Sequence, residues 1–314
     1  LPLNVVATTT IVADVAKNVG GDKVKVTPLV PPDADAHAFE PTPQDVATVA
    51  SAQVLLAAGA GYETFLSRLL QNAPSVDVVY VSAGVTVYPL AADEDNPTQG
   101  EIDVNVKPLG VLGRDVLCGA EADATAEPSA TPEVAPAACD PHVWTDPKNG
   151  EIWADNIAAA FTAVDPDNAD FYRQNADAYK QQLEAADADV RKILDAVPTD
   201  KRVLLTNHEF LSYFARAYGF RVVGVVISGG TTEGEPDPQQ IASLIDHVKA
   251  ASVPAVFAEA SSNTRLIDTI ASDAGVKVVS ALSESLTAAG GPADTYIGYL
   301  KYNAQTIAAA LTGT

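Results

Sequence analysis

Four histidines occur among the 314 residues, and three of them stand in short polar segments where an apolar run gives way. His37 lies in Asp35-Ala36-His37-Ala38-Phe39-Glu40-Pro41-Thr42-Pro43, and His142 in Cys139-Asp140-Pro141-His142-Val143-Trp144. His208 follows the strand-like run Arg202-Val203-Leu204-Leu205-Thr206-Asn207. Neutral imidazole is the commonest protein metal ligand. A scarce residue type placed this way points to one metal site assembled from distant parts of the chain. The fourth histidine, His247, falls inside a helix-like run at residues 241–251 and is set aside as an ordinary helix residue.

Three imidazoles leave one place in a tetrahedral zinc shell, which a carboxylate commonly fills. Asp294, after the turn Gly290-Gly291-Pro292-Ala293, is the first candidate. The same position suits a plain cap on a final helix at residues 296–311, and on spacing alone capping is the commoner use. Glu259, at the end of the strand-like Val256-Phe257-Ala258, is the second candidate. It fits either as a ligand or as an acceptor that orients a ligand imidazole.

Alternating strands and helices must position these residues. Residues 3–7, 24–30 and 54–58 read as strands, with helices at 11–19 and from Thr42-Pro43 to about residue 52, where Pro sits just inside the cap. The pattern returns with strands at 203–205, 221–227, 255–258 and 276–279 and helices at 209–217, 239–251 and 263–274. This is the pattern of an α/β protein with parallel sheets covered by helices, in two similar Rossmann-like lobes. Such sheets bind ligands beyond the carboxyl ends of their strands, where His208 falls. Residues 169–196 carry no Gly or Pro and read as one helix of about 40 Å, a stiff strut between lobes. The expected division is a first lobe at 1–168, with an irregular acidic loop at about 91–138, a linking helix at 169–197, and a second lobe at 198–314.

Composition narrows the partners. The chain has 19 basic against 41 acidic residues, a net charge of −22, which repels phosphate backbones and disfavours nucleic acid. The same surface concentrates cations, or simply keeps the chain in solution. No apolar run approaches the roughly 18–20 residues that span a bilayer. A cleaved export signal peptide fits a chain that starts at Leu1 and has no Met, and so does a trimmed start. Cys118 and Cys139 are the only cysteines. A disulfide between them would tie off residues 119–138 just before His142 and imply an oxidising compartment; two separate thiols are the alternative.

With these segments assembled, the chain resembles the solute-binding proteins of the zinc/manganese ABC-transporter family. Four stretches carry the resemblance: the His37 segment with its Phe39-Glu40-Pro41-Thr42-Pro43 tail, Asp140-Pro141-His142-Val143-Trp144, Asn207-His208-Glu209-Phe210 through Tyr218-Gly219, and Asp294-Thr295-Tyr296 through Lys301-Tyr302-Asn303. The resemblance implies two α/β lobes joined by a rigid backbone helix, with the metal in the cleft between them. His37 and His142 would come from the first lobe, and His208 and Asp294 from the second. It further implies capture of Zn²⁺ outside the cytoplasmic membrane, at the periplasmic or outer cell face, with or without a lipid anchor. Delivery would be to a membrane ABC permease by a monomer, with a metallochaperone as a candidate loading partner. Mn²⁺ is the alternative cargo, but three nitrogens and one carboxylate suit zinc better. The chain departs from many zinc-uptake relatives in having an acidic loop without His, and from manganese-specific relatives in having His208 where they carry a carboxylate.

Two other classes compete. A zinc hydrolase would keep one coordination position open for water, with Glu209 as its general base. However, no His-Glu-x-x-His helix, Gly-x-Ser-x-Gly elbow or phosphate loop is present. An adhesin or scaffold holding metal only for stability would unfold when the metal is removed. The expectation is therefore a binding protein and not an enzyme.

Overall fold

A computed structural model describes residues 1–73, 76–88, 90, 139–227, 232, 238–251, 253–259, 265–282 and 284–313. The acidic loop at 91–138 lies outside the described residues, and so does Cys118, and with it the expected Cys118–Cys139 pairing. Cys139 itself is buried.

The strand-like runs form two four-stranded sheets. In the first, β1 (Leu3–Ala7), β2 (Val24–Pro28), β3 (Val54–Ala57) and β4 (Val78–Tyr80) lie in the order β2-β1-β3-β4, all parallel. In the second, β5 (Val203–Thr206), β6 (Arg221–Val225), β7 (Ala255–Glu259) and β8 (Lys277–Leu282) repeat it as β6-β5-β7-β8. Parallel neighbours need crossovers. In the first lobe these contain α1 (Thr10–Gly20), α2 (Pro43–Ala50) and α3 (Leu66–Asn72); in the second, α6 (Ser212–Tyr218), α7 (Pro238–Ala251) and α8 (Arg265–Ala274). Strands β3, β5 and β7 are buried along their whole length, which explains why they read as unbroken apolar runs rather than alternating ones.

Behind the sheets run α4 (Pro147–Val164), α5 (Ala169–Leu194) and α9 (Tyr296–Thr312). The buried positions of α5, namely Tyr172, Ala176, Tyr179, Leu183, Ala186, Val190 and Leu194, recur every three or four residues and make one apolar stripe. That stripe is covered, because α5 packs against α4, α1 and α9. The expected strut is thus a helix sheathed by elements from both ends of the chain. Helix α4 was not foreseen in the sequence. Its start is set by Asp146, whose side chain accepts the Lys148 amide, and by Pro147 in the first turn. Gly150 is required there: a Cβ would stand 2.6 Å from Cε1 of Tyr296.

A single apolar core runs without a break from Val5 and Val12 through Trp153 and Leu183 to Phe210, Phe257, Tyr296 and Ile307, so it includes side chains from both lobes. A smaller core that includes Leu205, Leu244, Val256 and Ile270 belongs to the second lobe alone.

Asp14 on α1 pins this junction. Its Oδ2 accepts the Tyr296 amide of α9 at 3.0 Å and the Tyr179 hydroxyl of α5 at 3.4 Å. Burial pushes its carboxyl up from the usual value against these bonds, with Asp294 adding to the rise. The folded protein therefore binds this proton more tightly than the unfolded chain does, and stability falls as pH rises from the ordinary Asp value through the raised one. In metal-free protein, Asp14→Asn should gain in urea midpoint relative to the parent as pH goes from about 4 to 7. A difference that stays flat over that range would refute the assignment.

Candidate metal centre

Each candidate ligand sits in a turn just beyond a strand or at the mouth of a helix. His37 lies in the connection from β2 to α2, where the Asp35 side chain accepts the His37 amide at 2.9 Å and fixes the turn. The other oxygen of Asp35 accepts the Thr232 hydroxyl of the second lobe at 2.7 Å. His142 precedes α4. Oδ1 of Asp140 accepts its amide at 3.0 Å and stands 2.7 Å from its Nδ1. A carboxylate on Nδ1 assigns the proton there and leaves Nε2 as the donor toward an ion. His208 follows β5, its carbonyl accepting the Thr206 hydroxyl at 2.7 Å and its ring stacked on Phe210.

These three imidazoles converge. The Nε2 atoms of His37 and His142 are 3.3 Å apart. The fourth member is Glu284, just past β8, with Oε1 at 2.7 Å from His142 Nε2 and 2.6 Å from His208 Nε2, and Oε2 at 3.1 Å from His37 Nε2. One donor atom from each of the four residues falls within a 4.8 Å group, and all four residues are buried. Donors about 2.0–2.1 Å from a tetrahedral zinc stand about 3.3 Å from each other, a value bracketed by the separations here, which run from 2.6 Å to at most 4.8 Å.

Asp294 is not part of this group, which corrects the expected fourth ligand. It is exposed, and its Oδ2 accepts the Gly290 amide at 2.8 Å, closing the turn before α9. Nor does it cap α9, since Thr295 does so through the Gly298 amide. Glu259 supports the site instead of standing among the four donors: its Oε1 accepts the Glu284 amide at 2.7 Å. Glu209 is buried next to His208 in the chain but outside the donor group.

Sequence reasoning missed Glu284 because it ended the last strand at Val279, whereas β8 continues to Leu282. With the strand extended, Glu284 holds a place like that of His208, an ionisable residue two positions past a carboxyl end. The loop that carries it also ties the lobes together. The Leu286 amide donates to Thr10 Oγ1 at 2.9 Å, and the Leu286 carbonyl accepts the Asp33 amide at 3.2 Å.

The electrostatics suit a divalent cation. Burial opposes charge on Glu284, but His142, His37 and His208 hold its carboxyl well below the usual range. Glu259, buried and facing Glu284, is pushed well above it. Burial alone would depress His142, yet the carboxylates of Glu284 and Asp140 push it up to about 10. A cation entering the site takes the place of that proton.

Comparison with known proteins agrees with this architecture. The family model described as "Zinc-uptake complex component A periplasmic" matches residues 5–310. The manganese ABC transporter substrate-binding lipoprotein PsaA of Streptococcus anginosus is 30% identical, over 99% of this chain and 89% of its own. The manganese-binding lipoprotein MntA of Halalkalibacterium halodurans is 30% identical over the same shares. The solved structure of the periplasmic zinc binding protein TroA from Treponema pallidum superposes with a TM-score of 0.79 at 27% identity, covering 99% of both chains. A Mn-bound mutant of a periplasmic metal binding protein from Candidatus Liberibacter asiaticus shares the fold at a TM-score of 0.75 and 21% identity. With two parallel-sheet lobes, a long helix behind them and a buried cluster of imidazoles and carboxylate, the chain belongs to the zinc-uptake complex component A family of extracytoplasmic, substrate-binding components of metal ABC transporters.

Proposed function

We propose that this protein captures Zn²⁺ outside the cytoplasmic membrane through His37, His142, His208 and Glu284 and hands it to a membrane ABC permease. The observation that carries the reading is the donor set itself, three imidazole nitrogens and one carboxylate, all buried and drawn from both lobes. Zinc accepts four such donors in a closed shell, whereas manganese takes more donors and more oxygen. The relatives named for manganese are the ground for the second reading, Mn²⁺ as cargo. His208 favours zinc over it.

The residues act in sequence. Asp140 orients His142, and Glu259 orients Glu284 through its amide. Because two ligands come from each lobe, an ion in the site joins the lobes, and occupancy biases the protein toward one form that a permease can distinguish. Four protein donors leave no position for an activated water, which argues against the hydrolase. A lipid anchor, as the names of the relatives state for those proteins, would keep the carrier at the membrane; loading is by the free ion or a metallochaperone, and the carrier acts as a monomer.

The test is titration of metal-free protein with Zn²⁺ and with Mn²⁺, repeated on His208→Ala. We expect one tight zinc site, weaker manganese binding, and loss of zinc affinity by about two orders of magnitude in the variant. That figure is the low end of an even division of roughly 10–16 kcal/mol of zinc binding among four donors, about 2.5–4 kcal/mol each. Unchanged zinc affinity in His208→Ala would overturn the site, and tighter binding of manganese than zinc would reverse the choice of cargo.

A further inference from the structure

A further side chain reaches the donor group without belonging to it. Tyr62 is buried, and its hydroxyl donates to Glu284 Oε2 at 3.2 Å across the interlobe boundary. Its ring meets those of His37, His142 and Trp144 edge-on, with centroids 5.1, 5.8 and 4.8 Å away.

The chain is bent on purpose to place it there. After β3, Gly59, Ala60 and Gly61 carry φ values of +83°, +58° and +78°. Glycine takes this left-handed conformation freely, but alanine takes it only under strain. Such strain persists where the surroundings over-determine it. Glu63 supplies the constraint: its Oε1 accepts the Ala58 amide and the Thr8 hydroxyl, each at 2.6 Å, and its Oε2 accepts the Gly59 amide at 3.0 Å. The Tyr62 amide donates back to the Gly59 carbonyl at 3.2 Å. A turn pinned at so many points fixes where the phenol points.

Its target separates the two oxygens of Glu284. Oε1 lies between His142 and His208, whereas Oε2 receives the phenol and stands 3.1 Å from His37. A phenol O–H uses a lone pair of Oε2 that a large oxygen-seeking cation would otherwise claim. We propose that Tyr62 is a specificity-determining residue: by engaging Oε2 it limits Glu284 to one-oxygen ligation, keeping the shell at four donors and disfavouring Mn²⁺. This rests on the reading of the cluster as the zinc-carrying site. Manganese gains from a carboxylate bound through both oxygens because it prefers higher coordination and harder donors; zinc in a closed tetrahedral shell does not need the second oxygen.

The experiment compares the parent with Tyr62→Phe, which keeps the ring and removes the hydroxyl. Metal-free forms of both are titrated with Zn²⁺ and Mn²⁺ under chelator competition, and the melting temperature of each metal-free form is recorded. The expected result is that the preference for zinc over manganese falls by on the order of tenfold, the lower range for groups that touch a metal ligand, with metal-free melting unchanged. X-ray absorption of the manganese-loaded variant should show a higher coordination number than the manganese-loaded parent. Tyr62→Leu, which also lacks the hydroxyl, should move the preference in the same direction and serves if the Phe variant fails to fold. A preference that stays constant, including equal weakening of both ions, overturns the role of Tyr62 while leaving the zinc reading intact. A parent with no tight zinc site would overturn both.

Discussion

Glu284→Ala should weaken zinc binding by about two orders of magnitude, and Asp294→Ala should leave it unchanged within a factor of about two. The larger figure is one donor's share of a structural-type zinc shell of roughly 10–16 kcal/mol. Glu284 Oε1 is within 2.7 Å of both His142 and His208 in the metal-free form, so the same change also costs the metal-free protein stability. The smaller figure follows from geometry: Asp294 is exposed and committed to the Gly290 amide. Its loss removes one exposed turn hydrogen bond, on the order of 1 kcal/mol of stability. The pair is a sharp test because the residues lie ten positions apart, each a plausible acid for the last ligand place. Competition titration against a zinc chelator checks it. Comparable losses in the two variants would refute the assignment of the fourth ligand place to Glu284 alone.

Stripping the metal should leave a folded protein. A scaffold that depends on its ion has no adequate core without it, as zinc fingers show. Here the main core spans both lobes and includes Trp153, Phe161, Tyr172, Phe257 and Tyr296, each fully buried. Chelation should therefore preserve the far-ultraviolet circular dichroism and a cooperative thermal transition. Zinc at 1,000 times its dissociation constant should then add about 4 kcal/mol, raising the melting temperature by several degrees in a chain of this length. Loss of the cooperative transition on chelation would instead support the scaffold reading.

The repeated strand–helix pattern was legible because local signals agreed with each other. Strands β3, β5 and β7 are short apolar runs bounded by polar turns, and α2 opens on Thr42-Pro43, whose capping box with Asp45 forms as the residues suggest. The three imidazoles were legible from scarcity and from their positions after apolar runs. Helix α4 was not, because Gly150 weakens its helical pattern for the sake of a contact with Tyr296, more than a hundred residues away in sequence. Glu284 was hidden for a related reason: β8 gains its last residues by pairing with β7, Glu259 opposite Leu282, across a register shift. Tyr62 carried no signal beyond the two glycines flanking Ala60. Its role depends on a second-lobe carboxylate that sequence reading had not placed.

The unbroken apolar interior has a practical consequence for anyone who would turn this carrier into a sensor. Dyes attached to the two halves far from the groove would report little, since sliding them apart would pull aromatic side chains out of their sockets. Useful signal should come from the strand-end loops around Asp33, Tyr62 and Leu286, where hydrogen bonds join one half to the other. For the same reason, neither half is expected to survive as a separate fragment, because cutting beside α5 would lay open one side of a shared hydrophobic surface.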